Sequence, residues 1–179
     1  LGFGIIGLCL GIGIFKGIIS TAPDISNIDV SPSGFSTFVY DNEGHETAKL
    51  VSSDSNRIPV SMSKIPEDLA HAFVAIEDER FYDHNGIDIQ GIMRATVKGI
   101  SNKNFSEGAS TITQQLLKNN VFKGWVDENS FADKVKRKIQ EQYLALELEK
   151  IMSKDDILEH YMNTINLGQS TLGVQSASL

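Results

Sequence analysis

An almost uninterrupted apolar run opens the chain, and alternating hydrophobic and polar patterns begin only after residue 35. From Leu1 to Ser20 every residue is apolar or glycine except Lys16 and Ser20. That length matches the ~20 residues a membrane-crossing helix needs, so the pattern predicts a transmembrane helix over residues 1–20. Residues 21–35 are rich in Ser, Pro and Asp and read as a linker. Two β-prone segments, 35–40 and 47–51, then flank Asp41-Asn42-Glu43-Gly44, a turn-forming cluster that predicts a small β-hairpin.

From Ile65 onward the apolar residues recur at helical spacing, which predicts helices over 66–80, 88–100, 110–120, 131–150 and 153–163. The catalytic region is therefore expected to be mainly α. In the first helix Leu69, Ala72, Phe73 and Ile76 form a stripe with Glu77 on its edge, while Asp78 points away. Burial against apolar surface raises a carboxyl pKa, so Glu77 is the expected general base or acid. Asp88 is expected to cap the second helix, whose Ile89, Ile92, Met93, Thr96, Val97 and Ile100 share one face. Residues 101–108, with Asn, Ser, Gly and Lys, read as a mobile loop.

Composition narrows the classes. The 179 residues are 41% hydrophobic and 22% charged, enough for one domain with a real core. A formal net charge of −7 argues against nucleic acid as a partner. The single cysteine, Cys9, excludes an internal disulfide framework and a Cys metal cluster, and nothing in the pattern requires a cofactor. No Lys or Arg occurs in residues 17–48, as expected for an extracytoplasmic flank of a membrane span.

Three further blocks carry candidate chemistry. Gly108-Ala109-Ser110-Thr111-Ile112-Thr113-Gln114-Gln115 leads a loop into a helix, where free N–H groups and hydroxyls suit an anion, and the adjacent amides suit sugar hydroxyls. Lys134, Arg137, Lys138 and Glu141 form a basic strip ending in an acid, fit for a diphosphate. Lys154-Asp155-Asp156-Ile157-Leu158-Glu159-His160-Tyr161-Met162-Asn163 opens a last helix whose Ile157, Leu158 and Tyr161 suit the core, with Lys154, Glu159 and Asn163 as supporting residues. Each block alone is explained as readily by an ordinary cap, a solvated face or core packing.

In order, EDERFYDHNGID, GASTITQQLLKN, RKIQE and KDDILEHYMNTINLG resemble the peptidoglycan glycosyltransferase module of class A penicillin-binding proteins and of monofunctional transglycosylases. The resemblance runs from about Ile65 to the end of the chain. It implies a mainly α, lysozyme-like bilobed domain over residues 36–179, with any transpeptidase domain and the last family motif absent from this chain. It implies that Glu77 is the general base that deprotonates the 4-hydroxyl of lipid II. Arg137 and Lys138 would neutralise the departing undecaprenyl diphosphate, and Glu141 would be a second catalytic acid in a positioning or electrostatic role. Ser110, Thr113, Gln114 and Gln115 would line the cleft, while Asp78, Phe81, His84 and Gly86 would shape the first motif. Mg or Mn assists some family members. The implied partners are lipid II, the growing lipid-linked glycan strand, the membrane and the cell-wall synthesis machinery, and the implied location is the outer side of the bacterial cell membrane. Two other readings are a lysozyme-like hydrolase or lytic transglycosylase, using Glu77 with Asp83 or Glu141, and an inactive membrane-tethered glycan-binding fragment.

Overall fold

The computed structural model describes residues 2–51, 56–102, 108–122, 124–168 and 171–179. Helix α1 (Gly2–Ser20) comes first, followed by a short 3-10 turn at Ile25–Asn27. Strands β1 (Thr37–Tyr40) and β2 (Glu46–Leu50) form the expected antiparallel hairpin, with Thr37 opposite Leu50, Val39 opposite Ala48 and an irregularity at Tyr40. Helices α2 (Glu67–Glu77), α3 (Ile89–Asn102), α4 (Ile112–Asn120), α5 (Phe131–Ile151), α6 (Lys154–Thr164) and α7 (Val174–Ala177) complete the mainly helical architecture. Among the described residues no helix is long and apolar enough to cross a membrane.

The core lies where α4 packs against both α5 and α6. Ile112, Leu116 and Leu117 of α4 meet Leu144, Ala145 and Leu148 of α5 and Ile157, Leu158, Tyr161 and Met162 of α6, all of them buried. Each large side chain buried this way contributes about 1.5–3 kcal/mol, and together they hold α4 at the centre of the molecule. Each of these three helices starts where a hydroxyl serves its free N–H groups. Thr111 accepts from Gln114 N–H, Ser130 from Ala132 N–H and Ser153 from Asp156 N–H.

The segment preceding α2 is held along α6. Asn163 Oδ1 accepts from Val60 N–H at 2.9 Å, while its Nδ2 donates to Val60 O at 2.8 Å. Glu159 accepts from Met62 N–H at 2.6 Å. Asn120 Nδ2 donates to Val30 O at 2.8 Å, and Arg57 donates to Ser33 O and Thr164 O, so part of the 21–35 stretch is fastened to the helical body.

Four expectations need correction. Helix α2 stops three residues short of residue 80, because Asp78 turns out of the helix at φ −159 and ψ 72. Its buried residues are Ala70 and Val74, while Leu69 and Ile76 are exposed and line an open groove with Ala72, Phe73 and Glu77. The burial of the two acids is therefore reversed: Glu77 is exposed, and Asp78 is only 6% exposed. On α3, for which the spacing set a shared face but no covering neighbour, Ile89, Met93 and Val97 are each more than 60% exposed. Residues 101 and 102 continue α3, and 103–107, the centre of the expected mobile loop, lie outside the described residues. Periodicity identified the helices correctly but not which neighbour would cover each stripe, because that depends on packing between distant elements.

Candidate active site

The turn after α2 is assembled around a buried carboxylate. Asp78 Oδ2 accepts from Ile112 N–H at 3.0 Å, capping the entrance of α4, and both Asp78 oxygens face His84 Nε2 at 2.9 and 3.0 Å. His84 Nδ1 accepts from Gly86 N–H, which assigns the ring proton to Nε2, where it points at Asp78. Gly86 sits at φ +86, and a Cβ there would lie 2.6 Å from Ala145 O of α5, so the turn requires glycine on two counts. Gly86 O in turn accepts from Thr111 Oγ1 at 2.8 Å and Gln114 Nε2 at 2.9 Å. Phe81 is fully buried beneath this turn, edge-on to His84. The Lys154 ammonium stands 4.3 Å from the Phe81 ring centre and 2.7 Å from Glu149 Oε2, while Glu149 Oε1 accepts from Thr113 Oγ1 at 2.5 Å. The first and second sequence blocks are thus joined by hydrogen bonds, and Lys154 of the fourth is tied to them by its ion pair with Glu149.

Glu77 projects from this rigid base into solvent. Gln115 Nε2 donates to Glu77 Oε2 at 3.0 Å, and Tyr161 OH donates to Gln115 Oε1 at 3.4 Å. Burial and then the nearby Glu77 charge push the Tyr161 phenol well above its ordinary value, so it remains a protonated donor. A cavity of about 120 Å³ opens beside Glu77, lined also by Asp78, Asp88, Arg94, Ser110 and Thr111. Asp88 caps α3 through Gly91 N–H, as expected, and is gripped by Arg80 at 2.5 Å. Burial disfavours its charge, but Arg80 and the Gly91 N–H outweigh that and hold its carboxyl below the usual range. An exposed, anchored carboxylate at the edge of a polar cavity can take a proton from a hydroxyl that docks there.

Across Ser110 lies the cationic cluster. Lys138 Nζ donates to Ser110 Oγ at 2.7 Å and to Gln114 Oε1 at 2.8 Å, and it lies 3.4 Å from Glu141 Oε2. Burial is the largest cause of a lowered Lys138 pKa; the Glu141 carboxylate opposes it, and Lys118 and Arg137 add to it. Arg137 Nη1 donates to Glu141 Oε1, and Arg137 Nε donates to both oxygens of Glu128, at 3.0 and 2.8 Å. Burial opposes the Arg137 charge, yet Glu128 and Glu141 prevail and raise its pKa. Glu141 is 1% exposed, a buried carboxylate facing two cations. Lys134, on the exposed first turns of α5, stands outside this group.

Glu77 is thus bonded to Gln115, while Ser110, Gln114, Lys138, Glu141 and Arg137 form a second bonded set across α4 and α5, and Glu77 and Ser110 line one cavity. Asp78, Phe81, His84, Gly86, Thr113 and Lys154 form their base, and Glu159 and Asn163 serve the 60–62 segment instead. Sequence reasoning did not single out Glu128, Glu149 or Tyr161 for the site. Tyr161 has core spacing, which signals packing rather than a polar role, and Glu128 lies in an irregular loop nine residues before its partner, where no periodic signal exists. Among the described residues no cluster of three or more His, Cys, Asp or Glu side chains is placed to hold a metal ion.

The family model described as Transglycosylase matches residues 43–179. Penicillin-binding protein 1A of Clostridium novyi (strain NT) is 43% identical over 175 residues, covering 96% of this chain and 20% of that protein. Penicillin-binding protein 1A of Clostridium botulinum (strain Langeland) is 41% identical over 98% of this chain and 21% of its own length. Penicillin-binding protein 4 of Bacillus subtilis (strain 168) is 38% identical over 85% of this chain and 24% of its own. The chain therefore spans about a fifth to a quarter of the relatives it matches.

Proposed function

We propose, from the premise that this chain belongs to the transglycosylase family, that it is the peptidoglycan glycosyltransferase module of a cell-wall synthase, polymerising lipid II into β-1,4-linked glycan strands. The observation that carries the reading is a single cavity lined by the Glu77 carboxylate, which Gln115 holds, and by Ser110, which accepts from the Lys138 ammonium beside Glu141 and Arg137. The Glu77 side suits proton removal, and the cations beyond Ser110 suit a leaving diphosphate.

In this reading the acceptor sugar's 4-hydroxyl docks beside Glu77 and passes its proton to the carboxylate. The hydroxyl oxygen attacks C1 of the lipid-linked MurNAc donor from the face opposite the leaving group. The C1–O bond to the diphosphate breaks with inversion, and the electron pair leaves on undecaprenyl diphosphate, whose charge Arg137 and Lys138 neutralise. Glu141 fixes both cations. A positioned general base contributes ~10²–10⁴-fold, and electrostatic stabilisation of the leaving group at least as much.

A membrane location outside the cytoplasm belongs to the same reading. It is supported by the helical α1, on which Leu10, Ile12, Ile14 and Phe15 are exposed, and by the open apolar face of α3. A lipid-linked substrate reaches such an enzyme by lateral diffusion. The lysozyme-like two-lobed form, a single-pass anchor over residues 1–20 and contact with other cell-wall enzymes are parts of this proposal.

The hydrolase alternative draws less support. Asp83 is exposed and does not line the Glu77 cavity, and Glu141 is neutralised by Arg137 and Lys138 rather than free to act on a glycosidic bond. The test is incubation of the full-length protein with purified lipid II. Glycan strands with release of undecaprenyl diphosphate are expected. Sugar fragments released from mature peptidoglycan without polymerisation would overturn the reading in favour of a hydrolase.

A further inference from the structure

Resting on the reading of Arg137 and Lys138 as diphosphate contacts, we infer that Glu128 is a built-in anion occupying the Arg137 site until the donor displaces it, and that it sets the site's preference for diphosphate over singly charged anions.

The argument begins with charge. Arg137, Lys138, Glu128 and Glu141 together carry no net formal charge, and Lys136 and Asp133, which line the adjoining cavity of about 340 Å³, offset one another. Glu141 is 1% exposed on a long helix and cannot leave. Glu128 differs. It lies in the loop between α4 and α5, at the end of the 3-10 turn Trp125–Asp127, with its side chain 20% exposed. That loop leans on the same cations, with the Trp125 ring centre 4.3 Å from the Lys118 ammonium and 5.9 Å from the Arg137 guanidinium carbon. Both Glu128 oxygens accept from Arg137 Nε, the edge of the guanidinium that two phosphate oxygens could also use.

With Glu128 seated, Arg137 meets carboxylates on both sides, and an incoming anion finds a cluster in which Lys118 alone adds a positive charge to two balanced pairs. A monoanion gains little by replacing one carboxylate with another. A diphosphate brings more than one negative charge and reaches Arg137 and Lys138 together, so it can expel the carboxylate and leave the cluster with a net positive charge facing it. When the diphosphate departs, Glu128 returns and completes its release. Glu128 is thus a specificity-determining and positioning residue rather than a catalytic one.

The test uses the full-length membrane protein and its Glu128→Gln variant. Titration with inorganic pyrophosphate and with dimethyl phosphate, a monoanion at neutral pH, at low ionic strength should show both anions binding more tightly to the variant, dimethyl phosphate by ~10-fold, as expected for removal of one close like charge. The preference for pyrophosphate should narrow, and the gain should shrink as salt rises past about 0.15 M. With lipid II as substrate, KM should fall and kcat should also fall, because release of undecaprenyl diphosphate becomes slower; product inhibition by that lipid should tighten. Unchanged or weaker anion binding by a variant with an unaltered unfolding transition would overturn the inference and leave Glu128 an ordinary ion pair. If Glu128→Gln unfolds, Glu128→Asp, which keeps the charge but shortens its reach, should give a smaller gain of the same sign, and no gain overturns the inference. Arg137→Ala separates the two levels. Unchanged pyrophosphate binding and unchanged lipid II kinetics in that variant would overturn the diphosphate reading itself, and the role of Glu128 with it.

Discussion

The amide of Gln115 stands 3.0 Å from the Glu77 carboxylate and is itself met by the Tyr161 hydroxyl at 3.4 Å, so the exposed acid is oriented by a chain that ends in the buried core. Exposure keeps Glu77 available to a substrate hydroxyl, while the amide limits its rotamers. Replacing Glu77 with Gln should abolish glycan polymerisation, a loss of at least the ~10²–10⁴-fold that a general base supplies. The unfolding transition should not move, because an exposed isosteric side chain carries little stability. Strand synthesis at the parental rate by this variant would remove Glu77 from the mechanism.

Tyr161→Phe deletes only the hydroxyl at the far end of that chain. Loss of a net ~0.5–1.5 kcal/mol from the orientation of Gln115 predicts a kcat several-fold to about tenfold lower, with KM for lipid II little changed. Gln115→Ala should cost more, since it frees Glu77 directly. Steady-state kinetics on lipid II would decide the matter; a variant impaired in KM alone would show that the amide binds substrate rather than orienting the base.

Asp78 should be a stability residue. Asp78→Ala leaves Ile112 N–H and the His84 ring proton without acceptors inside the protein, a cost of roughly 2–5 kcal/mol. Asp78→Asn should be nearly as damaging, because an amide can accept from Ile112 but then turns its own N–H toward His84 Nε2–H, donor against donor. Thermal unfolding and amide exchange at Ile112 report both changes, and full protection in the Ala variant would refute the assignment.

Lys138 gives a pH signature. Its folded pKa lies below 10.5 chiefly through burial, so it loses its proton at a lower pH than an exposed lysine would. Between its folded and unfolded values the unfolded chain holds the extra proton, and this group's contribution to stability rises with pH across that window. Donor binding should move in the opposite direction, falling as the ammonium is lost. The alkaline limb of lipid II polymerisation should therefore move upward in Lys138→Arg, whose guanidinium stays charged. An unmoved limb would dissociate Lys138 from the diphosphate.

Much of this architecture is legible in the chain itself. Helical spacing located α2 to α6 within a few residues, Asp41-Asn42-Glu43-Gly44 marked the hairpin turn, and Asp88, Thr111, Ser130 and Ser153 stand where helix starts need acceptors. Capping and turn formation are local, so residue type and order suffice to reveal them. Residues of the first two blocks line one cavity, those of the third lie beyond Ser110 in hydrogen-bond contact with it, and Lys154 of the fourth pairs with the Glu149 that holds Thr113.

What tertiary structure alone decided is which side chain each face meets. The stripe of Leu69, Ala72 and Ile76 reads as apolar packing surface by periodicity, yet it is open, and of the adjacent acids the one expected to point away from that stripe became the buried hub. Asp78 took that role because the chain leaves the helix at its Cα and turns the carboxylate under Ile112, thirty-four residues away. Glu128 and Tyr161 were invisible for the same reason, since their importance lies in partners brought close only when α4, α5 and α6 pack together. Sequence order determined the elements and the chemical groups available to them; burial, and with it the charge balance of each group, is a property of the packed whole.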